Sequence, residues 1–172
     1  MNKRIILLRH AESIEDVDPT LHNINTGRIA ELTEEGKEKA HQLGKHLAAH
    51  ILKTEPLLVF VSPTNRVTET WDIISTYFSF TLKVVTDHRI RNLNWGNITL
   101  ENRSIIEAER YKAGVLNFTF PEGDHTPSYV KAINEFVQEV VVNLRWTNHG
   151  ISTILIVTHG FALRIILKYL LK

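Results

Sequence analysis

The stretch Ile5-Ile6-Leu7-Leu8-Arg9-His10 is an unbroken apolar run followed by an arginine and a histidine. A short continuous apolar run is typical of a strand that is buried on both faces, as in a parallel sheet. The pattern recurs at Leu57–Val61 and Thr153–Val157, with a shorter run at Leu82–Thr86. Together these runs predict the strands of one sheet.

Helices are predicted between the strands because apolar residues recur there at helical spacing. The first helix follows Thr33, a suitable N-cap, and has Gly36 in its first turn. The other predicted helices have Pro63 in the first turn, or cover Glu101–Ala113, about Pro127–Asn143 and Ala162–Leu171. Strands that alternate with helices predict an α/β fold with three layers, α/β/α, around a mostly parallel central sheet.

The chain has 172 residues, which predicts a single domain over residues 1–172. Between about residues 87 and 126 the alternation of strands and helices breaks down. We interpret this segment as an insertion, the usual place for a lid or a specificity loop.

The composition excludes several classes of protein. The chain has no cysteine, which excludes a disulfide framework, a cysteine nucleophile and a thiolate metal site, and which fits a cytoplasmic location. Its net charge of +1 argues against a nucleic-acid partner. There is no export signal and no run of about 20 apolar residues, so no membrane association is expected.

Polar residues follow each of the three longer strands. Arg9-His10 follows the first strand, Ser62-Pro63-Thr64-Asn65-Arg66 the second, and Thr158-His159-Gly160 the third. The carboxyl ends of parallel strands lie at one edge of a sheet, where ligands bind. Arginine matches phosphate oxygens with its planar fork, and histidine is either a nucleophile or a proton donor near pH 7. The two arginines and two histidines therefore predict a pocket for a phosphoryl group.

Five segments also carry motifs in a characteristic order. They are Leu8–Ser13, Leu32–Gly36, Ser62–Thr70, Pro121–Asp124 and Val157–Gly160. The first resembles the Arg-His-Gly-Glu signature of the histidine phosphatase superfamily, and the third its Ser-Pro-x-x-Arg-x-x-x-Thr segment. The resemblance implies the phosphoglycerate-mutase-like fold.

The resemblance also implies roles for individual residues. His10 would be the nucleophile that forms a phosphohistidine, and Arg9, Arg66 and His159 would bind the phosphoryl oxygens. Gly160 would add a backbone donor. Thr26 and Gly27 resemble a loop of the family that borders phosphate, and no metal or cofactor is implied.

Two positions depart from the family pattern. Asn92 occupies the place of a glutamate that donates a proton in many members, and an amide cannot act as a general acid. Asp16 replaces a common asparagine that touches phosphate. A bound phosphate would raise the pKa of Asp16, so we hypothesise that Asp16 is the acid and that Asn92 supplies the amide contact. The alternatives are that Asp16 points to solvent, or that Asp124 is the acid.

The sequence therefore predicts a metal-independent phosphomonoester hydrolase. A phosphoglycerate-type mutase and a catalytically weakened, phosphate-binding or protein-interaction pseudoenzyme are the alternatives. The expected partner is a small phosphorylated substrate or a phosphoprotein, and the expected state is a monomer or a homodimer.

Overall fold

Four parallel strands form the central sheet in the order β1-β4-β2-β3. They are β1 (Arg4–Arg9), β2 (Leu57–Val61), β3 (Lys83–Thr86) and β4 (Thr153–Thr158). The structure is a computed structural model that describes residues 3–18, 30–51, 56–80, 83–142 and 151–171. All four strands lie where the apolar runs predict them.

Alternate side chains of the central strands point to opposite faces of the sheet. Leu58 and Ile154 belong to one buried cluster, whereas Val59 and Leu155 belong to the other. The fully apolar runs arise because both faces are covered. The predicted three-layer α/β/α architecture is thereby confirmed.

The first strand differs from its prediction. The apolar run predicts that Ile5–Leu8 are buried on both faces, but these four residues are only half-buried. The reason is position, since β1 lies at one end of the described strand order and pairs only with β4. The strand β3, at the other end, is also largely exposed.

The helices cover the two faces of the sheet. Their bounds are α1 (Ile14–Val17), α2 (Glu34–His50), α3 (Asn65–Ser75), α4 (Arg103–Ala113), α5 (Thr126–Phe136) and α6 (Gly160–Leu170). Within the described ranges, no helix has both the length and the apolarity that a membrane crossing requires.

Two helix boundaries correct the sequence prediction. The helix α3 begins at Asn65 with Thr64 as its N-cap, so Pro63 precedes the helix and is not in its first turn. The helix α5 ends at Phe136, and a π-helix over Val137–Val142 continues it. Asn143, the predicted end, lies outside the described residues.

The segment predicted as an insertion packs against the face of the sheet that carries Leu58. Two hydrogen bonds of 2.7 and 2.8 Å from the Arg91 guanidinium to the Asp124 carboxylate tie its beginning to its end. Gly96 has a φ of +72°, and a Cβ there would lie 1.8 Å from the carbonyl oxygen of Pro121. Only glycine fits this contact, which holds the segment closed on itself.

Candidate active site

Hydrogen bonds at the carboxyl ends of the strands bring the candidate residues together. The backbone N–H of His10 donates to the carbonyl of Thr158 (3.0 Å), and that of Ser62 donates to the carbonyl of Val157 (3.0 Å). The segments after β1, β2 and β4 therefore leave the sheet side by side. This is the arrangement expected from three adjacent parallel strands.

His10 is buried and held by two hydrogen bonds. Its Nδ1 lies 2.7 Å from the carbonyl oxygen of Ala11, which only accepts, so Nδ1 carries the proton. Its Nε2 accepts from the Nε–H of Arg66 at 3.2 Å. The lone pair of His10 is therefore on Nε2.

The surroundings keep His10 neutral. Burial lowers the pKa of His10 from 6.5 to about 4, and the positive charges of Arg66 and Arg9 act in the same direction. The carbonyl of Ala11 and the carboxylate of Asp16 oppose this only in part. At neutral pH the imidazole is an uncharged base with a lone pair on Nε2.

The buried Arg66 is held by a buried carboxylate. Its Nη1 donates to Oε2 of Glu15 at 2.8 Å, and each of the two side chains is at most 5% exposed. A guanidinium without a counter-charge would be costly at such a depth. Glu15 thus fixes the fork of Arg66 while its Nε–H points to His10.

Arg9 pairs with Asp16, whose carboxylate also caps α1. Nη2 of Arg9 lies 2.5 Å from Oδ1 of Asp16, and Oδ2 accepts from the backbone N–H and the hydroxyl of Ser13, each at 2.9 Å. Burial raises the pKa of Asp16, but the Ser13 hydrogen bonds and the charge of Arg9 together hold it below its ordinary value. Asp16 borders the pocket rather than pointing away to solvent. Without a bound phosphate, the pKa of Asp16 is therefore lowered and not raised.

His159 is almost completely buried beside His10. The two ring centroids lie 5.2 Å apart. Its Nε2 lies 3.0 Å from the Ser62 hydroxyl and 2.9 Å from the Thr64 hydroxyl, whereas its Nδ1 has no hydrogen-bond partner among the described residues. Burial, reinforced by the charge of Arg66, holds the pKa of His159 well below its ordinary value, so this ring is also neutral.

These side chains line one pocket of about 490 Å³. The residues that line it are Arg9, His10, Ser13, Glu15, Asp16, Arg66, Asn92, Trp95, Arg110, His159, Gly160, Phe161 and Arg164. Asn92 and Gly160, both predicted to bind phosphate, are therefore placed there. Asp124 does not line the pocket, because its carboxylate is taken by Arg91 and by the backbone N–H of Asn94. Thr26 and Gly27 lie outside the described residues.

The sequence did not predict Glu15 or Arg110 as parts of the site. A charged residue in the polar stretch from Glu12 to Asp18 gives no sign of burial. Its apolar neighbour Ile14 is itself exposed, so the sequence around Glu15 does not indicate burial. Nothing in the sequence places Arg110, on a helix far along the chain, against the same pocket.

The fold and the site define an α/β protein with a cationic pocket, containing two neutral histidines, at the carboxyl edge of a parallel sheet. The chain belongs to the histidine phosphatase superfamily (branch 1), whose family model matches residues 5–172. This confirms the resemblance noted from the sequence.

The chain is similar to plant proteins of this kind. Two phosphoglycerate mutase-like proteins of Arabidopsis thaliana, AT74H and AT74, are 27% and 26% identical to it over 96% of this chain. The chain spans only 64% and 56% of the length of these relatives.

The fold is also that of solved phosphatase structures. A putative alpha-ribazole-5'-P phosphatase from Escherichia coli aligns with a TM-score of 0.71 and 21% identity, covering 98% of this chain and 79% of that one. A mycobacterial glucosyl-3-phosphoglycerate phosphatase aligns with a TM-score of 0.73 and 19% identity, with the same coverage. At these identities the likeness is one of fold.

The burial of Arg66 yields a prediction about stability. Glu15→Ala leaves the guanidinium in the interior without its carboxylate, so we expect unfolding in urea to require about 3 kcal/mol less free energy. As the control, Glu107→Ala removes a half-exposed partner of Arg103 on α4 and should cost less than about 1 kcal/mol. Equal losses in the two variants would show that Glu15 does not balance a buried charge.

The low pKa of His10 yields a prediction about pH. The unfolded chain binds a proton at His10 below pH 6.5, whereas the folded protein resists it until about pH 4. The stability from neutral His10 is therefore complete above pH 6.5 and is lost as the pH falls from 6.5 to 4. For His10 this amounts to about 3 kcal/mol. Wild type should lose more stability over this window than His10→Gln by about that amount, and parallel pH profiles would contradict the prediction.

Proposed function

We propose that this protein hydrolyses phosphomonoesters through a phosphohistidine on Nε2 of His10, without a metal cofactor. The observation that carries the proposal is the state of His10, which is buried, neutral and protonated on Nδ1, with its lone pair on Nε2 inside a cationic pocket. A neutral imidazole is a ready nucleophile that needs no base to remove a proton.

In the first step the Nε2 lone pair attacks phosphorus, in line with the bond to the leaving oxygen. The Nε2–P bond forms while the P–O bond to the leaving group breaks, and the leaving oxygen takes up a proton. The hydrogen bond from the Nε–H of Arg66 to this lone pair breaks as phosphorus approaches, and the Nε–H then faces a phosphoryl oxygen while Nη1 keeps its hydrogen bond to Glu15. The hydrogen bond between Arg66 and His10 is thus replaced by a hydrogen bond between Arg66 and the substrate.

The phosphoryl oxygens are neutralised by side chains and by one backbone group. Arg9 and Arg66 supply charged N–H donors, and charge-assisted bonds of this type are strong. The Nδ1 of His159, which has no partner among the described residues, donates to a third oxygen when its Nε2 accepts from a hydroxyl. Gly160 begins α6, and its N–H lies where a helix favours an anion. Catalysis of phosphoryl transfer rests mainly on such positioning and charge.

In the second step water attacks the phosphohistidine. A P–O bond forms, the Nε2–P bond breaks, and the water proton passes to a base, so that inorganic phosphate leaves and neutral His10 returns. The same carboxyl group serves both steps, as the acid in the first and the base in the second.

We assign this group to Asp16, with Asn92 contributing an amide contact to the phosphoryl group. A bound phosphate dianion competes for Arg9 and repels the Asp16 carboxylate, and both effects raise its pKa. The substrate thus reverses the balance that holds the pKa of Asp16 low in the pocket itself. Oδ2 of Asp16 lies 3.9 Å from Nδ1 of His10, and both side chains line the pocket that would hold the substrate.

The reaction is tested with a panel of phosphomonoesters, alkyl and aryl, with wild type, His10→Ala and a chelator. We expect phosphate release by wild type that persists in chelator and falls by at least about 10³-fold in His10→Ala, because the nucleophile is lost. Acid-labile, base-stable phosphate on the quenched wild-type protein is the second readout. As the matched control, His125→Ala removes a histidine that caps α5 and does not line the pocket, and it should retain activity.

The outcomes also separate the alternatives. Unchanged hydrolysis in His10→Ala overturns the proposal. An isomeric phosphoester formed without inorganic phosphate identifies a mutase. Binding of phosphate without turnover in either protein identifies a pseudoenzyme.

The role of Asp16 is tested by leaving-group dependence. Asp16→Asn removes the proton donor, so kcat on alkyl phosphates should fall at least about 10²-fold, whereas aryl phosphates, whose leaving groups need little protonation, should be nearly unaffected. If Asp16 only positions Arg9, KM rises on both substrate classes alike. Asp124→Asn, the other acidic candidate, should show no such difference between the classes.

A further inference from the structure

The pocket contains four arginines, and they differ in their partners. Arg9 is paired with Asp16, and Arg66 is paired with Glu15. Arg110 on α4 and Arg164 on α6 line the same pocket, but neither forms a salt bridge with a carboxylate of the described residues. Positive charge that the protein does not neutralise is thus concentrated in one part of the pocket.

Arg110 is held by aromatic rings rather than by an acid. Its Cζ lies 4.7 Å from the ring centroid of Trp95, 5.2 Å from that of Phe161 and 5.5 Å from that of Phe120. Aromatic rings attract the charge of a guanidinium but do not replace the hydrogen-bond acceptors that its N–H groups require. The Nε of Arg110 is buried and has no hydrogen-bond partner among the described residues.

The charges around Arg110 favour an anionic ligand. Burial lowers the pKa of Arg110, and the nearby charge of Arg164 acts in the same direction. Glu107 and Tyr111 oppose this, but the carboxylate of Glu107 forms its ion pair with Arg103. Since a guanidinium stays protonated at neutral pH, the two arginines repel each other until an anion lies between them.

We propose that Arg110 and Arg164 form a second anion subsite, and that the substrates are phosphomonoesters with a further carboxylate or phosphate beyond the phosphoryl group that reacts. The inference rests on the proposed function for the identity of the first anion. The reacting phosphoryl group lies at His10, and the second anion lies at the N–H groups of Arg110 and Arg164.

The aromatic wall beside Arg110 suits the carbon skeleton of a ligand. Trp95 and Phe161 line the pocket beside Arg110 and offer apolar surface to the part of the ligand that joins its two anionic groups. Contact with this wall gives little discrimination between a charged and a neutral ligand of equal size. The charge preference therefore has to come from the arginines.

Binding measurements with ligands that cannot be hydrolysed test this subsite. We would titrate the protein calorimetrically, at neutral pH and fixed ionic strength, with ω-carboxyalkylphosphonates of increasing chain length and with the matching carboxamides. The two series have equal shape and differ in one negative charge. At the best length we expect the carboxylate to bind wild type about tenfold more tightly than the amide, as for a charge-assisted hydrogen bond.

Variants then assign the preference to the two arginines. Arg110→Gln and Arg164→Gln should each reduce the preference at least about threefold while the affinity for the amide stays unchanged, which also shows that the pocket is intact. Arg103→Gln alters an arginine of the same helix that does not line the pocket, and it should retain the full preference. In Arg110→Lys the charge remains, so the preference should be only partly lost.

The failures of the two proposals are distinguishable. Equal binding of carboxylate and amide to wild type, a preference that survives in both glutamine variants, or no binding of either series overturns the second subsite. Absence of His10-dependent hydrolysis overturns the proposed function but leaves a tenfold preference in phosphonate binding intact. A phosphate as the second anion is tested in the same way, with bisphosphonates in place of the carboxylates and phosphonate monoamides in place of the carboxamides. Tighter binding of the more highly charged ligand again supports the second subsite, and equal binding overturns it.

Discussion

The buried ion pair between Arg66 and Glu15 is the interaction on which the site depends. A guanidinium that is 4% exposed needs a counter-charge, and Glu15 supplies it from the short helix α1. This pairing fixes the direction of Arg66, so that its Nε–H meets Nε2 of His10. The positive charge of Arg66 then contributes to the low pKa of both histidines. One pair of side chains thus connects the stability of the fold with the protonation state of His10.

In the proposed function, the same arrangement limits how strongly the pocket binds phosphate. Arg9 and Arg66 each form an ion pair with a carboxylate before a substrate arrives. These carboxylates partly neutralise the two arginines and so weaken their attraction for phosphate. Because Arg9 is half-exposed and Arg66 is buried, the exchange at Arg9 disturbs the fold less. Arg66 keeps Glu15 and offers its remaining donors. The two arginines are therefore unequal, one adjustable and the other fixed.

The sequence predicts the inner part of this site because it follows from the topology. Parallel strands end at one edge, so Arg9, His10 and His159 are neighbours wherever the three apolar runs form adjacent strands. The start of α3 was misplaced at Pro63, yet Arg66 still lies in the first turn of the helix. The burial of Glu15 and the contact of Arg110 with Trp95 depend on packing between distant segments. No local pattern of charge or periodicity encodes such contacts.

In the proposed reaction the nucleophile is a neutral histidine, so another group has to donate the proton to the leaving oxygen. The Nδ1–H of His10 donates to the carbonyl of Ala11, and His159 is uncharged at neutral pH. Neither ring is therefore a proton donor for the leaving group. Asn92, in the position of the family glutamate, cannot act as a general acid because its side chain is an amide. Within the described chain, the carboxyl groups that line the pocket are Glu15 and Asp16, and Glu15 is committed to the buried Arg66. Asp16 is held instead by the half-exposed Arg9 and by Ser13, partners that a phosphate dianion competes with directly. Among the carboxyl groups that line the pocket in the described chain, Asp16 is therefore the one we propose as the acid.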